Sequence, residues 1–375
     1  MDYAGAIETG ARLLSDSFGG SARLELVEAV YDYPGSPSTI LRCKVIGGAE
    51  GSPATAIVKQ SNENNESLLF DAAGLEFLDE TVKGLAPHVY GIDIAVKTMV
   101  MEDLNFPEEK LLGNILFGDD SQYAEAALTA LQTALARLHR ATMGHKARFQ
   151  AIRHRHGATS HSRHRIHFIG EALADATSRF QTMGVAISEA AKDDLKAAKE
   201  LVENPGAFLC LVHGDATPAN AFYDAGTIRL FDFEASDFRH ALLDGSFSRL
   251  RYIHSVWARE IPQEVQRRLM AVYRDAFLAG TEIDEATFER AFVACCAGWM
   301  AGLCMLLPSV IDEDNKWGRA TNRQRIVAGL SHFAITAEET GLFAALGEAC
   351  RVAEARLRTI WTEQECTMRI YPAFA

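Results

Sequence analysis

The chain has 375 residues, of which 48% are hydrophobic and 23% are charged. These proportions are typical of a globular protein with large buried cores, and they exclude a disordered chain or a minimal disulfide-stabilised scaffold. Fifty acidic residues outnumber 37 lysines and arginines, so the formal charge of −13 argues against nucleic acid or an anionic membrane as a main partner. Seven cysteines without a C-x-x-C pair, and no export-signal pattern in the first fifteen residues, predict a cytoplasmic protein with reduced thiols.

The first hundred residues predict one helix, then a sheet that is interrupted by a second helix. Helical spacing over 3–17 ends near a Gly-Gly pair, and short β-rich runs between 23 and 60 flank a turn at 33–37. A helix over about 66–82 follows, and 89–101 supplies two further strand-like stretches. The pattern predicts a five-stranded antiparallel sheet.

Beyond residue 104 the sequence is almost entirely helical. The exception is a small β region, where 208–212 is a short buried strand, and 221–223 and 227–231 flank an Asp-Ala-Gly turn that predicts a hairpin. The uncharged run at 291–311 is long enough to cross a membrane, but its cysteines, glycines and proline indicate a buried core helix.

The strongest chemical signal is H-G-D-A-T-P-A-N at 213–220, followed after the hairpin by D-F-E at 232–234. The hairpin is expected to bring Asn220 beside Asp232, with Asp215 on the preceding loop. An amide oxygen and a carboxylate suit Mg²⁺ held together with substrate phosphates. Asp215 then remains to orient a hydroxyl group and accept its proton, which is the chemistry of phosphoryl transfer.

These two motifs resemble the catalytic core of aminoglycoside phosphotransferases and choline kinases, small-molecule relatives of protein kinases. The resemblance spans roughly residues 20–260 and includes Leu138-His139 on a helix and Asp244, which relatives keep buried as a brace for the catalytic loop. It implies an α+β, bilobal protein-kinase-like fold, with a nucleotide-binding N-terminal lobe at 1–103 and a helical lobe at 104–375.

The resemblance also implies ATP and Mg²⁺ as cofactors. Asp215 is then the catalytic base, and His213 organises its loop through hydrogen bonds. Asn220 and Asp232 are the expected metal ligands, and Glu234 supports the metal shell.

In the N-terminal lobe the resemblance assigns a nucleotide site. Lys59 ends an A-I-V-K strand and is expected to reach the α- and β-phosphates while it pairs with an acid on the next helix. Helical periodicity puts Asp71 within the apolar stripe and Glu76 at its margin, so Asp71 is the better partner, although relatives usually have Glu there. The other expected nucleotide contacts are the carbonyl of Glu102, the N–H of Leu104, and a loop at 34–39 that offers Ser36, Ser38 and Thr39.

The stretch at 141–170 contains no acidic residue, six lysines and arginines, and six of the twelve histidines of the chain. Three interpretations stay open: a solvated basic surface, a metal site, or a patch that recognises an anionic acceptor. Four acids are instead candidates to line a cleft for a cationic acceptor such as an aminoglycoside or choline; these are Asp237, Asp312, Glu313 and Asp314. The sequence does not rank an anionic acceptor against a cationic one.

The sequence therefore predicts transfer of the γ-phosphoryl group of ATP to a hydroxyl group of a small acceptor, such as an aminoglycoside, choline or a sugar. Two alternatives stay open. One is an enzyme of the same fold that transfers AMP or acts on a protein. The other is a catalytically silent nucleotide-binding module, which Asp71 and the glycine-poor loop at 34–39 would suit. The intact set of Asp215, Asn220 and Asp232 favours the kinase.

Overall fold

The computed structural model describes residues 3–32, 36–62, 66–158, 165–250 and 252–375. Pro34 and Gly35 of the expected phosphate loop, and His161, Arg163 and His164 of the basic stretch, lie outside the described residues. The helices are α1 (Ala4–Phe18), α2 (Ser67–Thr81), α3 (Leu112–Leu116), α4 (Ser121–Thr142), α5 (Lys146–Arg155), α6 (Ile169–Thr182), α7 (Glu189–Glu203), α8 (Leu242–Gly245), α9 (Gln263–Leu278), α10 (Glu285–Cys304), α11 (Asn322–Thr340), α12 (Ala344–Ile360) and α13 (Glu363–Cys366). The strands are β1 (Ala22–Tyr31), β2 (Ser38–Gly47), β3 (Thr55–Ser61), β4 (Val89–Asp93), β5 (Thr98–Glu102), β6 (Leu209–Val212), β7 (Ala221–Asp224), β8 (Thr227–Leu230), β9 (Asp237–His240), β10 (Lys316–Trp317) and β11 (Ala320–Thr321).

The described chain divides into two compact units. The first comprises residues within 1–106, 145–163 and 229–237, and the second comprises those within 107–144, 164–228 and 238–375. The predicted division after residue 103 lies close to the first of these boundaries. The sequence did not predict that two later segments join the first unit, because the side-chain contacts that hold them there link residues far apart in the chain.

The first unit is built on a five-stranded sheet in the order β1-β2-β3-β5-β4, and every neighbouring pair is antiparallel. This confirms the predicted sheet. Helix α1 packs on the sheet through Leu14, and the buried Val58 of β3 belongs to the same cluster. Because side chains alternate along a strand, the next residue, Lys59, points to the other side of the sheet.

Helix α2 is buried along most of its length, including the predicted apolar stripe of Leu68, Ala72, Leu75 and Leu78. Its ten buried residues include Asp71, which is 1% exposed. A charged residue at such a position needs partners within the fold. The helix therefore presents Asp71 to the interior of the first unit.

Within the basic stretch, Lys146–Arg155 forms α5, which packs against α2. Arg148 donates two hydrogen bonds to Glu80, at 2.9 and 2.5 Å. Arg155 and His156 both contact Glu76, and the His156 Nε2 to Glu76 Oε2 distance is 2.6 Å. Arg148, Arg155 and His156 thus pair with acids of α2, while His145, Lys146 and His154 are exposed, so this helix is in part a solvated basic surface.

The second unit is mainly helical, and its central helix is α10. The segment Glu285–Ser309 is long and apolar enough to cross a membrane, but 78% of its most hydrophobic window is buried within the protein. It packs against α6, α7 and α11. The predicted core helix is thus confirmed. Strands β7 and β8 form the expected hairpin, and β6 pairs with β9 just before the catalytic loop.

Candidate active site

Three charged side chains meet in the first unit, around the ammonium group of Lys59. Its Nζ lies 2.7 Å from Asp71 Oδ2 and 2.7 Å from Asp232 Oδ1. The side chains of Lys59 and Asp71 are 5% and 1% exposed, whereas that of Asp232 is 36% exposed. The predicted lysine–aspartate pair is therefore present, and the shorter aspartate reaches the lysine directly.

The second oxygen of Asp71 explains how an aspartate serves at this position. Asp71 Oδ1 accepts the backbone N–H of Phe233 at 2.7 Å, so one carboxylate holds both the lysine and the turn that carries the D-F-E motif. This requires a close approach of α2 to that turn. Gly74 permits the approach, since a Cβ at this position would lie 2.8 Å from Phe233 Cβ and 2.7 Å from Ser236 Oγ.

Burial and charge act in opposite directions on this group. Burial disfavours the charged lysine, but the carboxylates of Asp232, Asp71 and Glu234 outweigh it and raise the pKa of Lys59 above its ordinary value. Burial raises the pKa of Asp71, opposed by the Lys59 ammonium and by the Phe233 N–H. Lys59 therefore stays a cation, which is the form that binds phosphate.

Asp232 has a backbone conformation that is uncommon for a residue with a side chain. Its φ of 67° and ψ of 62° place it in the left-handed region. Such residues cost free energy and persist where the surrounding structure holds them, often at functional sites. The Lys59 contact holds the side chain of Asp232, and the Phe233 bond to Asp71 holds the backbone that follows.

The described end of the expected phosphate loop, residues 36–39, is held by hydrogen bonds from Asn62 and by one between its serines. Asn62 Nδ2 donates to the Ser36 carbonyl at 3.2 Å and to Thr39 Oγ1 at 3.0 Å, and Ser36 Oγ donates to the carbonyl of Ser38. Ser36 and Thr39 are mostly buried. Asn62 was missed in the sequence because a single asparagine in a polar run carries no distinguishing pattern.

The expected hinge follows directly from β5. Glu102 ends that strand, its N–H donates to the carbonyl of His88 at 2.8 Å, and its carboxylate accepts from Arg229 at 2.7 Å. These contacts fix the position of Glu102, two residues before Leu104. Asp103 accepts from Arg42 Nε at 3.0 Å, a contact that the sequence did not indicate.

The catalytic loop lies in the second unit, where Asp244 braces it as predicted. Asp244 Oδ2 accepts the His213 N–H at 2.6 Å, and Oδ1 accepts the Gly214 N–H at 3.0 Å. On the other side, His139 Nε2 lies 3.3 Å from Asp244, and His139 Nδ1 lies 2.7 Å from the hydroxyl of Tyr273. Asp244 and His139 are fully buried, so these hydrogen bonds are shielded from water.

Asp215 is fixed by its neighbours in the same loop. Asn220 Nδ2 donates to both the carbonyl and Oδ2 of Asp215, at 3.0 and 2.9 Å. Both acceptors require the amide nitrogen, so the carbonyl oxygen of Asn220 is the atom left as a potential ligand. The Asp215 N–H donates to His213 Nδ1 at 3.3 Å, which fits the predicted organising role of His213.

A family model, that of the Phosphotransferase enzyme family (APH), matches residues 55–286, which is more than half of the chain. The chain belongs to the phosphotransferase enzyme family. The family predicted from the two motifs is thus confirmed, and the match contains the catalytic loop and the Lys59 group. No curated protein matches the chain significantly in sequence.

Several solved structures have a similar fold at low sequence identity. A macrolide 2′-phosphotransferase from Brachybacterium faecium is 13% identical, with a TM-score of 0.48 and an alignment over 82% of this chain and 93% of that one. A choline/ethanolamine kinase family protein from Mesorhizobium loti is 14% identical, with a TM-score of 0.48 and coverage of 92% and 99%. A choline kinase from Cryptosporidium parvum is 12% identical, with a TM-score of 0.46 and coverage of 96% and 95%. These likenesses are too distant to identify the acceptor of this phosphotransferase.

The donor atoms of this phosphotransferase suit a hard cation. Asn220 offers an amide oxygen and Asp232 a partly exposed carboxylate, the oxygen ligands that Mg²⁺ prefers. Among the described residues no group of three His, Cys, Asp or Glu is arranged to hold a metal by itself. In phosphotransferases an amide oxygen and a carboxylate of this kind hold Mg²⁺ together with the phosphates of the substrate.

The acids proposed for a cationic acceptor are partly engaged elsewhere. Asp237 pairs with Arg153 at 3.1 Å in the first unit. Asp314 accepts the N–H of Arg323 at the start of α11. Asp312 and Glu313 are at least partly exposed. The structure therefore gives two of the four acids a structural partner.

Proposed function

We propose that this phosphotransferase transfers the γ-phosphoryl group of ATP to a hydroxyl group of a small molecule in the cytoplasm. The observation that carries the proposal is the pair of Asp215 and Asn220. Its geometry fixes a carboxylate on a braced loop, where it can orient a hydroxyl group and accept its proton. Family membership supplies the reaction class.

Each remaining group has a role in this proposal. Lys59 binds the α- and β-phosphates, held in place by Asp71, and the main chain of Glu102 and Leu104 meets the adenine. The loop that includes Ser36, Ser38 and Thr39 covers the phosphates.

Asn220 and Asp232 are the proposed Mg²⁺ ligands, with Glu234 in support. When bound, the metal neutralises charge on the phosphates. His213 keeps the loop of Asp215 in shape.

The contact between Asp71 and Lys59 removes one argument for a silent nucleotide-binding module. That argument was the presence of an aspartate, where relatives usually have glutamate, on the helix after Lys59. Asp71 nevertheless contacts Lys59 at 2.7 Å, so the shorter side chain does not break the pair. Nothing in this arrangement favours inactivity.

The test is a screen for acceptor-dependent ADP release with Mg–ATP and a set of amines, sugars, nucleosides and antibiotics. The expected product has gained one HPO₃ unit by mass spectrometry. Asp215→Asn is expected to lower kcat by about 10³-fold, since it removes a positioned base. The exposed Lys196→Gln serves as a control that leaves the rate unchanged.

Two outcomes would contradict the proposal. A product that has gained an AMP unit would make the enzyme a nucleotidyltransferase. Unchanged turnover in Asp215→Asn would remove Asp215 from the reaction.

A further inference from the structure

A strongly basic cavity lies in the second unit. Its volume is about 640 Å³, and its lining includes Arg259, Lys316, Arg319 and Arg369. Cavities that take small molecules have volumes of about 300–1,000 Å³. Four cations around one cavity are unexpected in a chain whose net charge is −13.

These cations are not neutralised by neighbouring acids. Over the described residues, no carboxylate oxygen lies within 4 Å of the charged nitrogens of Lys316, Arg319 or Arg369, and Glu363 of the lining contacts Arg358 instead. Burial, and then the charges of Arg369 and Arg319, lower the pKa of Arg259 below its ordinary value. The like charges of Arg369 and Arg319 thus act on Arg259, and a bound anion would offset them.

The fold holds this arrangement in place through the β10–β11 hairpin. The Arg319 N–H donates to the Val256 carbonyl at 2.7 Å. Gly318, with φ of +65°, makes this contact possible, since a Cβ there would lie 2.0 Å from the same oxygen. The buried Arg325 ties the hairpin down further, with bonds to the carbonyls of Ser255 at 2.8 Å and Trp317 at 2.6 Å.

Aromatic rings orient two of the cations. The Arg319 guanidinium lies 5.0 Å from the ring of Phe117 and 5.4 Å from that of Trp257, and Arg259 lies 5.8 Å from Phe117. Such stacking orders long side chains before a ligand arrives, which lowers the entropic cost of binding.

The same aromatic residues connect the cavity to the catalytic loop. Phe117 directly follows α3, and α3 packs against the turn at Pro218–Asn220. Trp257 touches α3 at Gly113, where a Cβ would lie 2.7 Å from its ring. One short helix thus separates the cavity from the loop of Asp215, within a single compact unit.

We propose that this basic cavity binds an anionic group of the acceptor: a phosphate, a sulfate or a carboxylate. The inference rests on the proposed function, and it names the acceptor class. It also fits what is known of the other charged regions. The described arginines of α5 already pair with acids, and Asp237 and Asp314 of the expected cationic-acceptor cleft have partners of their own.

The first experiment measures anion binding without turnover. Sulfate is titrated at constant ionic strength, followed by tryptophan fluorescence and by the thermal midpoint. The double variant Arg319→Gln/Arg369→Gln is compared with Lys196→Gln/Arg356→Gln, which removes the same charge from exposed positions on α7 and α12. Loss of two charge-assisted contacts is expected to raise the Kd for sulfate at least about tenfold, while the control matches the unmodified protein.

Equal sulfate affinity and equal thermal shifts in the two double variants would overturn the proposal. The single variant Arg369→Gln is a second test in case the double variant does not fold, since this exposed side chain makes no ion pair in the described chain. It is expected to weaken sulfate binding by a smaller factor.

The second experiment compares acceptors. Phosphorylated, sulfated and carboxylated alcohols are assayed for ADP release beside their neutral counterparts. The best acceptor is expected to be anionic, and the Arg319→Gln/Arg369→Gln variant is expected to raise its KM about tenfold or more with kcat within about twofold. A neutral or cationic best acceptor, with KM unchanged by the variant, would refute the assignment. If no acceptor supports ADP release, the proposed function fails, and the sulfate titration still decides whether the cavity binds anions.

Discussion

The buried pair of Lys59 and Asp71 offers the sharpest test of how the first unit is held together. Each side chain is at most 5% exposed, and the atoms in contact are 2.7 Å apart. Removing one partner of such a pair leaves a buried charge, whereas removing both charges leaves none. We therefore expect the two substitutions Lys59→Met and Asp71→Asn to be strongly non-additive.

The magnitudes follow from the remaining contacts. Loss of one partner from a buried ion pair costs about 3–5 kcal/mol. The lower end, about 3 kcal/mol for each single variant, is expected because Lys59 keeps Asp232 and a lone Asp71 can take up a proton. In the double variant the amide oxygen introduced by Asp71→Asn still accepts the Phe233 N–H, so we expect a loss of about 3 kcal/mol in place of the sum of about 6 kcal/mol.

Urea unfolding of the four proteins, followed by circular dichroism, measures this coupling. An interaction free energy of about 3 kcal/mol is expected. The activity should behave differently, because the double variant has no cation for the phosphates and is expected to be as inactive as Lys59→Met. Additive losses of stability, or recovery of activity in the double variant, would refute the reasoning.

Three further changes test other parts of the fold. Gly74→Ala is expected to cost about 1–3 kcal/mol and at least tenfold in kcat, since its Cβ would press on Phe233; wild-type stability and rate would contradict this. Asp244→Asn keeps one oxygen acceptor for the two backbone N–H groups of His213 and Gly214. It is expected to lower the free energy of unfolding in urea by about 2 kcal/mol and to lower kcat. Burial, and then the charge of His139, lower the pKa of His240 from 6.5 to about 3. His240 therefore stays neutral in the folded protein, and its contribution to stability is present above pH 6.5 and is lost as the pH falls below that value. Between pH 7.5 and 5.5 the unmodified protein should lose about 1.4 kcal/mol more than His240→Gln, and equal slopes would show that this histidine is not the cause.

Local patterns were sufficient for the elements and for part of the site. The alternation of the first hundred residues predicted the sheet, and the phase of α2 selected Asp71 over Glu76 as the partner of Lys59. The role of Asp244 followed from the resemblance alone. In the first two cases a short run of sequence determines which side of an element a residue occupies.

Contacts between distant segments could not be predicted in this way. The bond from the Phe233 N–H to Asp71 uses a backbone group, which every residue except proline has, so no residue type signals it. The hinge contact of Arg42 with Asp103 joins residues 61 positions apart. The charges of 141–170 were visible, but the acids of α2 that pair with Arg148, Arg155 and His156 were not identifiable without the fold.

Helix α2 contacts cations on two sides, and three residues of the basic stretch supply those on the outer side. On the inner side Asp71 contacts Lys59, and on the outer side Glu76 and Glu80 contact residues of α5 and His156. Arg153 adds a further link, because its guanidinium lies 4.7 Å from the ring of Phe70, the neighbour of Asp71, and also pairs with Asp237 beyond the D-F-E turn. A histidine- and arginine-rich segment that resembles a substrate patch in the sequence thus helps to fix the helix that holds the phosphate-binding lysine.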